Sequence, residues 1–138
     1  MSLNQGLNIT KEGAVLSGGG AGKAVGVEGP FRLQVNGTVA AAGSAYTDSG
    51  ALSTGISPVS TDSATKGVSL PDITVIGELC LVINTAAATA LKLYPYSGDT
   101  INGESANTPF TIAAKGLVLA VADSLTSWRI AELGVAAV

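Results

Sequence analysis

The segment 73–84, with the sequence ITVIGELCLVIN, limits the possible folds of this chain more than any other. β-Branched residues are frequent in it, and such residues favour strands. Gly77 and Glu78 predict a bend or bulge, and the following residues 79–83 are apolar at every position. A strand with one wet face alternates apolar and polar residues, so an unbroken apolar strand needs cover on both faces. We therefore expect residues 79–83 at the centre of a β-sandwich.

One hairpin is predicted before this segment and another after it. Residues 31–35 alternate between apolar and polar, and Asn36-Gly37 separates them from the strand-forming residues 38–42. Asn-Gly between two such segments is a strong signal for a two-residue hairpin turn. Residues 85–89 are too few for a helix. They predict a second hairpin loop, from which the chain returns through 91–94.

The rest of the chain is typical of short strands joined by turns. Residues 43–63 contain many Ser, Thr, Gly and Asp, and we interpret them as a long loop or a short edge strand. Further strands are predicted at 68–70, 108–113, 117–122 and 127–133. No segment has a convincing helical period. The sequence therefore predicts an all-β fold: an antiparallel β-sandwich, a jelly-roll-like fold or a small barrel.

The first thirty residues differ in composition from the rest. They are rich in Asn, Gln and Gly, and the spacing of their apolar residues is neither helical nor alternating. We expect an extended, Gly-rich N-terminal arm at residues 1–30 and a β domain at residues 31–138. An ordinary frayed terminus fits the same pattern. As an arm, the segment would contact a partner through its scattered apolar residues, which are Leu3, Leu7, Ile9, Val15 and Leu16.

The composition argues against several classes of function. Among 138 residues only 12% are charged and the net charge is −3, so no basic surface indicates a nucleic-acid partner. No apolar run approaches the roughly 18 residues of a membrane span, and the start has no signal-peptide pattern. We expect a protein that is made in a cytoplasm and stays there or in a particle assembled there, with no membrane partner. The chain has no histidine, which rules out a Ser-His-Asp triad and leaves Cys80 without a base. We expect Cys80 to be a buried, inert thiol.

The remaining chemical motifs are weak. Residues 17–24 resemble a phosphate-binding loop, but Ser17 replaces its first glycine and Ala24 replaces the hydroxyl residue that binds magnesium. The loop 99–104 brings oxygen ligands together, yet it lacks the EF-hand spacing, so calcium remains a minor alternative to a plain turn. Arg129 is expected to face water. The ten acidic residues are dispersed, and we predict no enzyme activity, no cofactor and no metal.

A family resemblance lies in residues 64–130, about half of the chain. Its most specific parts are Lys92–Pro95, Ser97–Gly103 and Ala106-Asn107. The pattern is completed by Gly67–Pro71, Leu79–Asn84, Ala86–Ala88 and Ser127–Ile130. Through these residues the chain resembles small virion structural proteins of tailed bacteriophages, in particular the capsid decoration (cement) proteins.

The resemblance implies a structural role on a virus particle. A protein of this kind would be made in the host cytoplasm, bind the major capsid protein as a homotrimer on the capsid exterior and stabilise the shell. It would bring no catalytic residues, and the five apolar residues of the arm would contact the capsid or a neighbouring subunit. The alternative is a receptor- or carbohydrate-binding domain of a phage fibre, in which Tyr94, Tyr96 and Trp128 would supply stacking surfaces.

Overall fold

A computed structural model describes residues 33–135, and within this range the chain forms strands and turns but no helix. The all-β class expected from the sequence is therefore confirmed. The strands, in chain order, are β1 (Val39–Ala40), β2 (Gly50–Ala51), β3 (Gly55–Ser60), β4 (Gly67–Ser69), β5 (Leu79–Asn84), β6 (Leu91–Tyr94), β7 (Thr100–Ile101), β8 (Phe110–Ile112), β9 (Gly116–Ser124) and β10 (Ser127–Val135).

The first six strands wind alternately through two sheets. β1, β3 and β5 are neighbours in a six-stranded sheet, whereas β2, β4 and β6 are neighbours in a four-stranded sheet. All of these neighbours are parallel. Each pair of successive strands therefore forms one turn of a coil, and three such turns stack as they do in a β-solenoid.

The last four strands close this coil. β8 runs antiparallel to β6 in the smaller sheet, and β9 runs antiparallel to β5 in the larger one. β10 is antiparallel to β9. On the edge of β10 that faces away from β9, the short strand β7 pairs with it in parallel. The strand order is β1-β3-β5-β9-β10-β7 in the larger sheet and β2-β4-β6-β8 in the smaller. Both sheets are thus mixed rather than purely antiparallel.

Buried side chains from both sheets form one hydrophobic core. The largest is Trp128, which lies on β10 and is fully buried. Its other large members are aliphatic, which agrees with the low aromatic content of the chain. The larger sheet supplies Val59, Cys80, Val82, Val118, Ala120 and Ala122, and the smaller sheet supplies Val68, Leu91, Leu93 and Ile112.

The hairpin predicted at Asn36-Gly37 does not form. Val35 instead bridges Ile56 in parallel, and β1 pairs in parallel with the end of β3. Neither Asn36 nor Gly37 has the positive φ that a type I′ turn requires. The Asn36 side chain donates to the Ser57 hydroxyl at 3.0 Å and to the Thr54 carbonyl at 3.1 Å. These bonds hold Asn36 beside β3, so the chain continues forward where a turn was expected.

The second predicted hairpin is also wrong, because β5 and β6 belong to different sheets. The buried side chain of Asn84, at the end of β5, directs this change of sheet. Its amide nitrogen donates to the carbonyls of Thr89 and Ala113 at 2.8 and 3.0 Å. Its amide oxygen accepts from the backbone N–H of Ala86 at 3.1 Å. The loop 85–89 is thereby tied to the turn that precedes β9 rather than folded back on β5.

Residues 43–63, which we interpreted as a loop or an edge strand, contain the short edge strand β2 and, in addition, the internal strand β3. One of the inward-facing residues of β3 is Ser57, which is polar although it is buried. The sequence of β3 therefore does not show the alternation of apolar and polar residues that usually marks a strand. Pro58 lacks an N–H and is normally found at sheet edges. It lies between the Val35–Ile56 bridge and the pairing with β1, where the ladder of hydrogen bonds is interrupted. That gap makes the proline compatible with an internal strand.

The other predicted strands are confirmed with small differences in their ends. β4, β8, β9 and β10 each overlap a segment that was predicted as a strand. Gly77 has a φ of +96°, in agreement with the expected bend before β5. Residues 73–76 are not part of a strand, so the long β-rich segment contributes only its second half to the sheet.

Replacing Gly67 tests how closely the turns of the coil stack. A Cβ at this position of β4 would lie 2.7 Å from the Lys92 carbonyl oxygen and 2.6 Å from the Tyr94 ring. We expect Gly67→Ala to lower the free energy of unfolding by about 1–3 kcal/mol because of this overpacking. Gly37→Ala is the matched control, since nothing lies within 4 Å of its Cβ, and we expect a change within about 0.5 kcal/mol. Urea denaturation measures the free energy of unfolding of both variants. Equal losses of stability in the two variants would contradict the close stacking of β4 on β6.

Candidate interaction surface

The face of the six-stranded sheet that points away from the core is apolar across its centre. On β5, Cys80, Val82 and Asn84 are buried in the core, whereas the alternate residues 79, 81 and 83 point outward and are only partly buried. β9 shows the same alternation. We call this surface the outer apolar face; its residues are Ile56, Pro58, Leu79, Leu81, Ile83, Leu117, Leu119, Val121 and Ala131.

The strand register arranges these side chains in rows across the sheet. Leu81 stands opposite Ile56 on one side and Leu119 on the other, and Leu119 is followed by Ala131. A second row joins Pro58, Ile83 and Leu117. Side chains directly opposite one another on a sheet are in contact range. The rows therefore form one continuous apolar surface that extends over β3, β5, β9 and β10.

The end of β10 extends this surface into a groove. Leu133 and Val135 are 54% and 60% exposed. Together with Ile83, Leu117 and Lys115 they line a depression of about 250 Å³. A bulge between Glu132 and Gly134 shifts the register of β10 against β9 at this point, and Gly134 has a φ of +131°. The bulge places Leu133 where it lines the same groove as Leu117.

The outer edge of β10 is only partly paired within the described residues. β7 pairs with Ser127 and Trp128. Beyond β7, the Asn102 side chain forms hydrogen bonds with the backbone of β10, as a neighbouring strand would. Its oxygen accepts from the N–H of Ile130 at 2.8 Å, and its nitrogen donates to the Ile130 carbonyl at 3.4 Å. β7 does not extend beyond this point, and residues 131–135 are exposed. An exposed strand edge beside an apolar face is typical of a protein-binding surface.

The loop between β6 and β8, which was considered as a calcium site, is held by its own hydrogen bonds. Asn102 and Gly103 both have positive φ, as expected for the predicted turn. The Asn107 N–H donates to the Asp99 carbonyl at 3.0 Å, and the Asn107 side chain accepts from the Gly98 N–H at 2.8 Å. Within residues 33–135 no three His, Cys, Asp or Glu side chains come together as metal ligands would.

Asp99 is nevertheless an unusual carboxylate. It is only 6% exposed, and its Oδ2 has no hydrogen-bond partner among the described residues. Burial raises the pKa of this carboxyl above its ordinary value, and the negative charge of Asp72 raises it further. Its ionised form therefore opposes folding.

The three aromatic residues considered for stacking do not form a common surface. Trp128 is 0% and Tyr94 4% exposed, and the Tyr94 hydroxyl donates to the Ser44 carbonyl at 2.8 Å. Tyr96 alone of the three is open to solvent, at 45%. It lines a shallow depression with Tyr46 and Pro95. Of the three rings expected to form the stacking surface of a carbohydrate-binding fibre domain, only that of Tyr96 is therefore accessible.

The other candidate groups occupy structural positions. Cys80 is buried in the core, as predicted, and its pKa is raised to about 12, first by burial and then by the charge of Glu78. Arg129 is exposed, as predicted, and pairs with Asp123. That ion pair lowers the pKa of the Asp123 carboxyl.

The proposed contacts of the arm lie outside the described residues; they are Leu3, Leu7, Ile9, Val15 and Leu16. The glycine-rich segment 17–24 lies outside them as well. In residues 33–135, no helix has the length and apolar character needed to cross a membrane.

The sequence contained a signal for the outer apolar face that its interpretation missed. Residues 79–83 were expected to have both faces covered within the fold, but the residues on one face remain partly exposed. The signal was the absence of polar residues at alternate positions of β5 and β9. It was attributed to a sandwich centre rather than to an apolar outward face of the larger sheet.

No protein-family model matches the chain, and no curated protein matches its sequence significantly.

Asp99→Asn should stabilise the protein at pH 7. A carboxyl whose pKa is raised on folding favours the folded state while protonated, below its ordinary pKa of 3.8. It loses that advantage as the pH rises through the folded-state pKa. Urea denaturation should therefore find Asp99→Asn more stable than the wild type at pH 7, with a difference that shrinks toward pH 3.

Asp62→Asn is the control for this experiment, because Lys66 lowers the pKa of the exposed Asp62 carboxyl. We expect it to leave the stability at pH 7 unchanged or slightly lower. A loss of stability in Asp99→Asn at pH 7 would contradict our interpretation, since it would require a favourable partner for the ionised carboxylate.

The Cys80 thiol should be unreactive in the folded protein. A buried thiol with a pKa near 12 offers almost no thiolate at pH 8. A thiol reagent such as DTNB should label it only after denaturation, with one equivalent per chain. Rapid labelling of the native protein would show that β5 does not carry Cys80 into the core.

Proposed function

We propose that the chain is a bacteriophage capsid decoration (cement) protein that binds the outer surface of the head, as a homotrimer, and stabilises the shell. The outer apolar face is the observation that carries this proposal. It is a surface suited to contact with other protein, and within residues 33–135 no three His, Cys, Asp or Glu side chains are grouped as metal ligands would be. The family resemblance of residues 64–130 is the reason for proposing a capsid as the partner.

Mechanical work on a capsid suits the physical character of this domain. The coil is stabilised by backbone pairing between its turns, and such pairing resists deformation along the sheet. Many copies bind to one shell, so that modest contacts from each copy add up through linked sites. Subunits that bridge neighbouring capsomers at symmetry positions would then strengthen the shell. In this proposal each subunit is a sandwich-like β module on the capsid exterior.

The partners follow from the same proposal. The major capsid protein is the main partner, and further copies of the chain complete the trimer. Residues 1–30 act as an arm whose apolar residues, named above, contact the shell or a neighbouring subunit. The role needs neither nucleic acid nor a membrane, and it needs no cofactor. The protein is made in the host cytoplasm and resides on the virion.

A receptor- or carbohydrate-binding domain of a phage fibre is the second candidate. The burial of Trp128 and Tyr94 weighs against the stacking surface that it would use. Its remaining support is the depression lined by Tyr46 and Tyr96. Binding to glycans or to host cells that is lost in a Tyr96→Ala variant would favour this candidate.

Binding to capsids tests the first proposal directly. Purified protein is mixed with empty, expanded capsids assembled from the major capsid protein of the same phage, and bound copies are counted after sedimentation. We expect saturable binding and a higher temperature of capsid disruption. Deleting residues 1–22 should abolish binding while leaving the β domain folded. Full-length protein that does not bind would contradict the proposed function, and retained binding after deletion would contradict the role of the arm.

A further inference from the structure

We infer that Asn102-Gly103 is a site of spontaneous chemical modification, at which the asparagine side chain deamidates and the turn beside β10 is altered. The inference does not depend on the proposed function. It rests on the Asn-Gly pair within the loop between β6 and β8 and on the hydrogen bonds that this pair makes. The reactant is the protein's own backbone, and water is the only other molecule consumed.

The reaction joins the backbone nitrogen of Gly103 to the side chain of Asn102. The nitrogen loses its proton and attacks the amide carbon Cγ of Asn102; a C–N bond forms, and the side-chain nitrogen leaves as ammonia. Water then opens the five-membered succinimide at one of its two carbonyls. One opening gives aspartate, and the other gives isoaspartate, in which the main chain runs through the former side chain. Glycine is the least hindered nucleophile for this step because it has no Cβ.

The Gly103 N–H is available for the attack. Asn102 and Gly103 are exposed, with φ values of +54° and +79°, and the Glu104 N–H donates to the Ile101 carbonyl at 2.9 Å. This is the geometry of a type I′ turn. Among the described residues the Gly103 N–H has no hydrogen-bond partner. Nothing lies within 4 Å of the position that a Cβ of Gly103 would take, so the turn is open on that side.

The Asn102 side chain is held lightly, and within residues 33–135 it is held by Ile130 alone. Its Oδ1 accepts from the Ile130 N–H at 2.8 Å. Its Nδ2, which is the group that leaves, donates to the Ile130 carbonyl at 3.4 Å. For the attack, the side chain must leave Ile130 and Cγ must approach the Gly103 nitrogen. Two bonds at an exposed strand edge open more easily than bonds in the core, so this opening sets the rate.

The chain's other Asn-Gly pair, Asn36-Gly37, is held more firmly. The Asn36 Nδ2 donates to the carbonyls of Ser53 and Thr54 at 3.3 and 3.1 Å. It also donates to the hydroxyl of Ser57 at 3.0 Å, and Ser57 is only 1% exposed. Three bonds, one of them to a buried partner, therefore keep this amide away from the glycine nitrogen. The same dipeptide should react more slowly here.

The remaining asparagines of the domain lack an accessible nucleophile. Asn107 has a φ of +64°, as Asn102 does, but the next residue is the β-branched Thr108. The Thr108 N–H donates to the Ser105 carbonyl at 3.1 Å, so this nitrogen is both hindered and engaged. Asn84 is fully buried. Asn102 is therefore the asparagine of the β domain that should react first.

Both products change the edge of β10. Aspartate at position 102 can still accept from the Ile130 N–H, but it cannot donate to the Ile130 carbonyl, and it adds a negative charge two residues before Glu104. Isoaspartate lengthens the main chain by one methylene, so the turn that pairs Glu104 with Ile101 cannot be kept. Ile130 is then less fully paired, at a strand edge that is already open beyond it.

The test compares both Asn-Gly pairs in one sample of full-length protein. The protein is incubated at pH 8 and 37 °C, and aliquots are digested with trypsin, which cleaves after Lys and Arg. The digest separates Asn36, in peptide 33–66, from Asn102, in peptide 93–115. Tandem mass spectrometry locates the converted residue, and labelling by protein isoaspartate methyltransferase detects isoaspartate. We expect Asn102 to convert at least about tenfold faster than Asn36 or Asn107.

Protein denatured in urea is the control. There the two Asn-Gly pairs, which follow Val35 and Ile101, have lost their native bonds, and their rates should agree within about twofold. Ser57→Ala is a matched variant, because it removes the buried hydroxyl that accepts from Asn36. It should speed conversion at Asn36 and leave the rate at Asn102 unchanged, and the unchanged rate reports that the variant is folded. An unchanged rate at Asn36 would contradict the protection that we assign to its bonds.

Two results would overturn the inference. One is conversion of Asn36 or Asn107 in the folded protein at a rate equal to or above that of Asn102. The other is an Asn102 that stays intact in the folded protein over the time in which the denatured protein converts completely. Neither measurement involves capsids, so both results leave the proposed function unaffected.

Discussion

Parallel backbone pairing between successive turns of the chain is the constraint on which the rest of this structure depends. β5 pairs with β3 from the preceding turn on one side and with the closing strand β9 on the other. This places β5 inside the larger sheet, with Val82 in the core and Leu81 on the opposite face. A hairpin with β6 would have put the same residues in a different sheet. The outer apolar face is thus a consequence of the coil.

The polar side chains of the described domain serve mainly to guide the backbone. Asn36 holds the first turn beside β3, Asn84 directs the chain from one sheet to the other, and Asn102 continues the pairing of β10. Most of the chain's specific chemistry is therefore used within the fold. The contiguous outward surface of the larger sheet is aliphatic, and the proposed structural role rests on that surface.

The sequence predicted the class of fold and most strands, because alternation and β-branched residues are local signals. It did not predict which strands pair, since pairing depends on contacts between residues distant in the chain. Asn36-Gly37 has the sequence of a hairpin turn, yet bonds from Asn36 to Thr54 and Ser57 override it. The outer apolar face was visible in the sequence as the apolar run at residues 79–83. A local pattern does not show, however, whether apolar side chains are covered by the same chain or by another molecule.

Backbone contacts of β5 in solution test the central claim most directly. In a NOESY spectrum of the isotopically labelled protein, parallel pairing predicts contacts between the backbone protons of Cys80 and those of β3 near Gly55, and antiparallel contacts between Cys80 and Ala120. Contacts of β5 with β6 instead, in the pattern of an antiparallel hairpin, would contradict the coil and with it the outer apolar face.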